Sequence, residues 1–590
     1  MSGMQWGSVG SLFKGWMPPS PCQWAMITLW LCVLTVPAVY SADAATLPPE
    51  VEIRRQQERE RALRERAEPA PDVRTPQAPQ VVSGTLPTDE SPCFTIHQIT
   101  LTGDRADLFQ WALDSAQRDA AGNIDLILPR CLGAGAINLI MRRMQNTVIA
   151  RGYVTTRILA QPQDLASGTL QLTVIPGLVR NIRKADGSKG NVRYALPVRT
   201  GEILQLRDLE QALENFRRVP TVQSNLRIEP ATETTAQPGE SDVVIDWHES
   251  FPLRLTLSAD DSGSDSTGKY LGNVTVSADN WFNMNDLFYV NFMQDLGGGE
   301  DGDRGTEGRT LHYSFPLGYW LFSITQSDNE YFQMVAGLND DYIYRGDSSN
   351  SELKASRLLY RDAVRKLTVS TSGWTRESRN FVDDTEVEVQ RRQMAGWSAG
   401  VAYSHYLGRA LLDVALDFRR GTGAGDSLAA PEEPFDEGTS RPEILLSSAR
   451  FSLPFSVRQQ ALRFSTQWRG QWNLTPLVPQ DNFSIGSRYT VRGFDGELTL
   501  AADRGWLTRN ELGWQPGQWG QELYIGLDYG RVGGADADRL PGRELAGAVL
   551  GMRGGWRWLH YELFAGQPLK KPDGFTTAST ASGFNITLSF

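Results

Sequence analysis

From Phe251 to the last residue the chain repeats one pattern: apolar and polar residues alternate with period two, in segment after segment, over about 340 residues. Leu253, Leu255, Leu257 and Ala259 alternate with Arg254, Thr256 and Ser258. Phe288, Val290 and Phe292 alternate with Tyr289, Asn291 and Met293, and Leu462, Phe464, Thr466 and Trp468 with Arg463, Ser465, Gln467 and Arg469. The closing GFNITLSF puts Phe584, Ile586, Leu588 and Phe590 on one face and Asn585, Thr587 and Ser589 on the other. Period two is the signature of strands with one apolar and one polar face, and a soluble sandwich satisfies it as well as a barrel does. The tally decides between them. About sixteen such segments, ending in strand, with Trp and Tyr recurring near segment ends, fit an even-numbered antiparallel barrel in an outer membrane around a hydrated lumen.

Composition agrees. Charged residues make up 22% of the 590, which excludes a bundle of membrane helices, and the formal charge of −11 argues against a nucleic-acid partner. Aromatics at 10% are plentiful for so polar a chain. The long connections LGGGEDGDRGTEG and RRGTGAGDSLAAPEEPFDEGTSRPE then fall outside the cell. Their acidic runs lack the spacing of a dedicated calcium loop and read as solvated.

One long connection does not read as solvated. YTVRGFDGE, Tyr489 to Glu497, puts Arg492 at the tip of a loop between segments ending near Trp472 and beginning near Gly505. Folded back into the lumen, that arginine needs a carboxylate. In ELYIGLDYGRV the alternation turns Asp528 toward the lumen, and Gly526 and Gly530, two residues away on the same face, clear space for a guanidinium.

Upstream, Trp24 to Val36 (WAMITLWLCVLTV) is apolar, too short to span a bilayer comfortably and followed by small residues. It reads as a signal segment, residues 1–44, with an uncleaved anchor helix as the alternative. Residues 45–70 include PPEVEIRRQQERERALRERAEP, rich in helix formers and in i,i+4 pairs such as Glu50 with Arg54 and Glu60 with Arg64. With almost no apolar face, such a helix is solvated on every side. A partly helical linker is the plainer reading of this composition, and a helix inside a water-filled channel the other. Residues 71–92, rich in Pro, Gly, Ser and Thr, read as an extended linker.

Residues 93–177 read as strand, helices, strand, strand, and residues 178–250 as strand, helix and two strands. Two small α/β modules in tandem, or one larger α+β domain, satisfy this order. In the second stretch Leu209, Leu213 and Phe216 share one helix face at i, i+4 and i+7. They are the candidate partner-binding residues, on a helix expected beside a strand edge to which an unfolded partner segment adds. Cys22 and Cys32 leave with the signal, so Cys93 and Cys131 remain. In an exported chain they suggest one disulfide, the alternative being two buried thiols.

Val-Arg-Gly-Phe at 491–494, followed by Gly-x-Asp-x-Gly at 526–530 and preceded by two modules, resembles the outer-membrane transporters of two-partner secretion, the TpsB group of the BamA/TpsB superfamily. The resemblance covers essentially the whole mature chain. It implies a signal peptide, a plug helix, a linker, two periplasmic POTRA modules and a sixteen-stranded transmembrane barrel at 251–590. It further implies that Arg492 pairs with Asp528 to anchor the inward loop Val491–Phe494, that Gly526 and Gly530 belong to the barrel-wall motif, and that Cys93 and Cys131 form a bridge in the first module. It makes the polar helix a plug, reversing the preference for a linker, and makes Phe590 a C-terminal signal to the barrel-assembly machinery. The implied function is export of a large unfolded partner, an adhesin, haemolysin or contact-dependent toxin, across the outer membrane. A barrel-assembly factor of the same superfamily is the alternative, and a passive porin leaves the modules unexplained.

No cofactor is called for. The sequence has no G-x-x-x-x-G-K-[ST], and GSKG at 187–190 lacks its spacing. Nor is an enzyme expected: the five His form no metal pair and no G-x-S-x-G elbow occurs. His560 and Glu562 share the presumed lumen face, an arrangement more typical of a satisfied contact than of a site.

Overall fold

The computed structural model describes residues 49–68, 71–75, 84–119, 123–188, 190–337, 340–517 and 520–590. The signal segment, with Cys22 and Cys32, lies outside the described residues.

The polar segment is a helix, α1 (Pro49–Ala67), with Glu50 and Glu52 in its first turn and Arg64 and Arg66 in its last, the order that complements the helix dipole. Two modules follow, the first with two small sheets and the second with one, each with its own hydrophobic core. The first contains β1 (Phe94–Ile96), β2 (Gln98–Thr102), α2 (Trp111–Ala116), β3 (Arg130–Leu132), α3 (Ala134–Ala150), β4 (Arg157–Ala160) and β5 (Thr169–Ile175). The continuous strand expected at FTIHQITL is broken at His97. The amides of His97 and Gln98 both donate to the Gly168 carbonyl, β1 pairs with β3, and β2 runs parallel to β5, so one segment serves two sheets. The module also reaches back before Cys93. Leu86 is in its core, and the Glu90 carboxylate accepts from the amides of Gly133, Gly135 and Ala136, capping α3 where Gly133 offers no side chain. Cys93 and Cys131 are bonded, with Cα atoms 5.3 Å apart.

The second module has β6 (Leu178–Lys184), α4 (Leu206–Arg217), β7 (Val222–Pro230) and β8 (Glu240–Glu249), in sheet order β6-β8-β7. Here the structure corrects an expectation. Leu209, Leu213 and Phe216 are buried in the module's core, where Phe216 meets Trp247 edge to face. An apolar stripe on an amphipathic helix is buried against its own sheet first, so these residues support the module and present no surface to a partner. The helix does lie against the edge strand β7, and Arg217 donates to the Ser224 carbonyl there.

The rest is a closed barrel. Its strands are β9 (Leu253–Asp260), β10 (Leu271–Asp279), β11 (Leu287–Asp295), β12 (Arg304–Leu317), β13 (Trp320–Val335), β14 (Tyr342–Arg361), β15 (Arg365–Val382) and β16 (Arg392–Leu407). They continue with β17 (Ala410–Thr422), β18 (Glu443–Val457), β19 (Gln460–Asn473), β20 (Arg504–Gln515), β21 (Glu522–Gly533), β22 (Glu544–Trp556), β23 (Leu559–Lys570) and β24 (Ala581–Ser589). Each pairs antiparallel with its neighbours, and a two-residue strand, Thr385–Glu386, extends β15 on the extracellular side. Outward positions carry the apolar face: Ile525, Leu527 and Leu550 are 54%, 55% and 65% exposed, where lipid covers them. Closure comes from β24 pairing with β9. That seam is short, with five ladder pairs, Asn585↔Asp260 to Ser589↔Thr256, against fourteen between β12 and β13. Phe590 lengthens it at the periplasmic end by exchanging two backbone hydrogen bonds with Leu255, while its ring stacks on Trp558.

The disulfide yields a first test. It closes a separation of 38 residues, worth roughly 3–4 kcal/mol in the chain-entropy treatment. Reduction should therefore accelerate proteolysis within residues 94–175 of the full-length protein at least tenfold and leave the barrel intact. Unchanged cleavage would show that the module's core holds without the bond.

Candidate functional site

The connection from β19 to β20 folds into the barrel. It forms its own small sheet, Phe483–Ile485 with Leu500–Ala502, and a core of Ile485, Val491, Phe494 and Leu500 packed on Leu507, Val532, Leu545 and Phe575. Apolar residues inside a hydrated lumen explain why the loop stays there: together they make a dry cluster on the inner wall. Each residue of the VRGF motif has a separate task. Val491 is fully buried beside Gly530, where an added Cβ would lie 2.8 Å from its methyl carbon. Phe494 meets Phe575 edge to face at 5.8 Å. Gly493 has φ +97°, and a Cβ there would come within 2.5 Å of the Gln567 carbonyl, so only glycine fits.

Arg492 is received as the alternation requires. Its Nε donates to Asp528 Oδ2 at 2.7 Å, its Nη2 to Oδ1 at 2.9 Å, and its backbone amide to Oδ2 at 3.1 Å. Both side chains are buried. Gly526 makes room, since a Cβ there would stand 2.8 Å from the guanidinium. Wall glycines Gly547 and Gly566 do the same for the loop backbone: their added Cβ atoms would meet Arg492 O and Gly493 Cα.

The structure adds a second carboxylate. Arg492 Nη1 donates to Glu511, which lies on β20 directly opposite Gly526. Glu511 also accepts from Arg553 at 2.8 Å, and Arg553 and Arg463 share Glu522. The result is a chain of alternating charges along the inner wall, Asp528–Arg492–Glu511–Arg553–Glu522–Arg463. Pairing registers identify Glu511, and a single-strand reading of alternation does not supply them. His560 and Glu562 do not form a pair of interest: Glu562 accepts from the Tyr524 hydroxyl at 2.8 Å. Among the described residues no cluster of His, Cys, Asp or Glu could hold a metal.

Helix α1 lies in the same lumen, and the wall meets it on all sides. Arg54 donates to Pro479 O and Arg55 to Gly496 O, both in the inward loop. Ser348 donates to Gln56, Arg469 to Glu58 and Arg64 to Glu352. A helix polar all round suits this position, because every face meets charged wall or water. Six residues beyond Ala67 the chain is moored. Val73 enters the core of the second module, and the amides of Val73 and Thr75 donate to the α4 carboxylates of Glu214 and Glu210. Arg361 and Lys366, at the β14–β15 turn, neutralise Glu214 from the barrel side. Burial would raise the Asp72 carboxyl, but hydrogen bonds from Tyr406 and Lys366 outweigh it and hold its pKa at about 2.

Residues 239–554 match the family described as haemolysin secretion/activation protein ShlB/FhaC/HecB. The chain belongs to this family. Residues 94–177 match a POTRA domain of ShlB type and residues 178–230 a POTRA domain. The chain is 36% identical over 569 residues to the outer membrane transporter CdiB-2 of Burkholderia pseudomallei, covering 93% of this chain and 95% of that one. It is 26% identical over 569 residues to the CdiB of Dickeya dadantii, with 95% and 98% covered. The structure of CdiB from Acinetobacter baumannii superposes with a TM-score of 0.80 at 29% identity, covering 93% of this chain and all of that one. The protein is thus an outer-membrane barrel with periplasmic POTRA modules.

The ion-pair chain sets the next test. Breaking a buried pair leaves its partner uncompensated and costs roughly 3–5 kcal/mol. Arg492→Ala and Asp528→Ala should each free the loop, read as protease cleavage between residues 474 and 503. The double variant should be milder than additivity predicts, by on the order of 1–3 kcal/mol. Arg492→Lys should not restore protection, since an ammonium cannot pair in bidentate fashion. Strict additivity would remove Asp528 as the partner.

Proposed function

We propose that the protein captures an unfolded partner in the periplasm and passes it through the barrel to the cell surface, with no nucleotide hydrolysed. The observation that carries this reading is the plugged lumen behind two modules. A porin has no use for a helix that fills its own channel, and a barrel-assembly factor would be expected to carry more modules than the two present here. The partner is a large exoprotein of adhesin, haemolysin or toxin type, and its folding outside the cell supplies the work.

Capture rests on the module sheets, through main-chain hydrogen bonds that demand little of the partner's sequence. With the apolar face of α4 consumed by the core, the strand β7 is the edge on which the second module receives a segment, beyond Ser224, which Arg217 occupies. Opening requires α1 to leave the lumen. Its contacts with the wall and loop are side-chain hydrogen bonds and ion pairs, which water can replace as the helix withdraws, so the barrel's backbone ladder is left undisturbed.

Deleting residues 49–67 should raise single-channel conductance in planar bilayers several-fold while heat-modifiable migration of the barrel persists. Unchanged conductance would mean that the helix does not occlude the pore. Proline substitutions in β7 at Arg227 or Glu229 should cut capture of the partner's N-terminal segment at least tenfold. Undiminished capture would move the docking edge to the first module.

A further inference from the structure

The inward loop carries a second, partly buried arginine, Arg488, which the VRGF reading does not use. It points away from Asp528, toward the seam where β24 closes on β9. Its Nη1 bonds Asp261 Oδ1 at 2.5 Å and its Nη2 donates to the Phe584 carbonyl at 3.2 Å. The same Asp261 oxygen accepts from the Phe584 amide at 2.9 Å. The guanidinium lies over the ring of Phe564, 5.3 Å from its centroid. Gly583 permits this approach, since a Cβ there would fall 2.3 Å from the Phe564 ring and 3.1 Å from Asp261.

Placed on the topology, these contacts have a single meaning. Phe564 is on β23, Phe584 on β24, and Asp261 follows the last residue of β9. The last ladder pair of the seam is Asp260↔Asn585, so Asp261 and Phe584 are the next positions, where the backbone ladder has stopped. The Asp261 carboxylate takes the place of the missing acceptor for the Phe584 amide, and Arg488 takes the place of the missing donor for its carbonyl. Side chains thus continue a ladder that is five pairs long. At the other end Phe590 does so with its backbone.

We infer that Arg488 is a clasp on the barrel seam: held by Asp261 and Phe584, it ties closure between β9 and β24 to the inward position of the loop. The docked loop reinforces the seam at its extracellular end, and a loop displacement that withdraws Arg488 leaves that end with the last ladder pair and the single Asp261–Phe584 amide bond. Arg492 and Arg488 divide the work, the first fixing the loop to the wall and the second fixing the seam to the loop. The inference rests on the closed-barrel geometry and holds whichever exoprotein is carried.

Hydrogen exchange of the full-length protein in lipid nanodiscs tests it. In Arg488→Ala, amides of residues 581–590 and 253–260 should exchange at least tenfold faster, while those of β16 and β17 keep their wild-type rates. Single-channel conductance should stay at the wild-type level, because Arg492 still holds the loop and α1 still fills the lumen. An unchanged seam, a rise shared by all strands, or a jump in conductance would each overturn the proposal. If the variant fails to insert, a tether between the directly opposed Ser258→Cys and Thr587→Cys should restore insertion of Arg488→Ala. Failure of the tethered variant would assign Arg488 to folding and not to the seam.

Discussion

The bidentate pair between Arg492 and Asp528 is the interaction on which the rest of the lumen depends. At an effective dielectric near 20 two charges in contact attract by roughly 4 kcal/mol, a value reduced by the desolvation of both groups. Such a pair contributes modestly to net stability and strongly to position. The guanidinium is satisfied only at one place on the wall, between Asp528 and Glu511, with Gly526 leaving the room. Once it is there, Val491 and Phe494 fall on their apolar neighbours, and Arg488 reaches the seam. A loop of this length without the pair would have many inward conformations of similar energy.

The same economy explains the plug. The lumen wall is lined with Arg, Glu, Ser and Asn because alternation gives the other face to lipid, and a polar interior cannot hold an apolar helix. A helix with charge on every side fits such a space, and its contacts there are side-chain hydrogen bonds and ion pairs. The backbone ladder secures the cylinder, while side-chain contacts secure what fills it. This separation of strong from weak bonds allows the contents of a barrel to move while its wall does not.

Much of this was legible in the residues. Period two announced the strands and assigned Asp528 to the lumen, and glycines two positions away marked where something would approach. The plug was legible only by resemblance, since a polar helix reads as a linker until a polar cavity is known to surround it. Glu511 was missed because it depends on register between β20 and β21, which no single strand reveals. The stripe of Leu209, Leu213 and Phe216 was assigned to a partner although burial within the module claims such a stripe first. The split of FTIHQITL at His97 was hidden because both halves have strand propensity, and only the competing partners β3 and β5 divide them.

One residue shows how plug and loop are joined. Arg469, on β19, donates to Glu58 of α1 and also to the Tyr489 carbonyl, three residues before Arg492. Arg55 of the helix in turn donates to Gly496 O, just beyond the motif. The VRGF segment is therefore gripped by the wall on one side and by the helix on the other. Withdrawing α1 removes Glu58 from Arg469 and Arg55 from Gly496, and the loop then rests on its wall contacts, Arg492, Arg488, Asp481 with Arg376 and the Tyr489 carbonyl with Arg469, and on its apolar cluster. Beyond the helix, the amides of Val73 and Thr75 moor the linker to Glu214 and Glu210 on α4 of the second module. Hydrogen bonds between named groups thus join the linker to the second module and the helix to the inward loop.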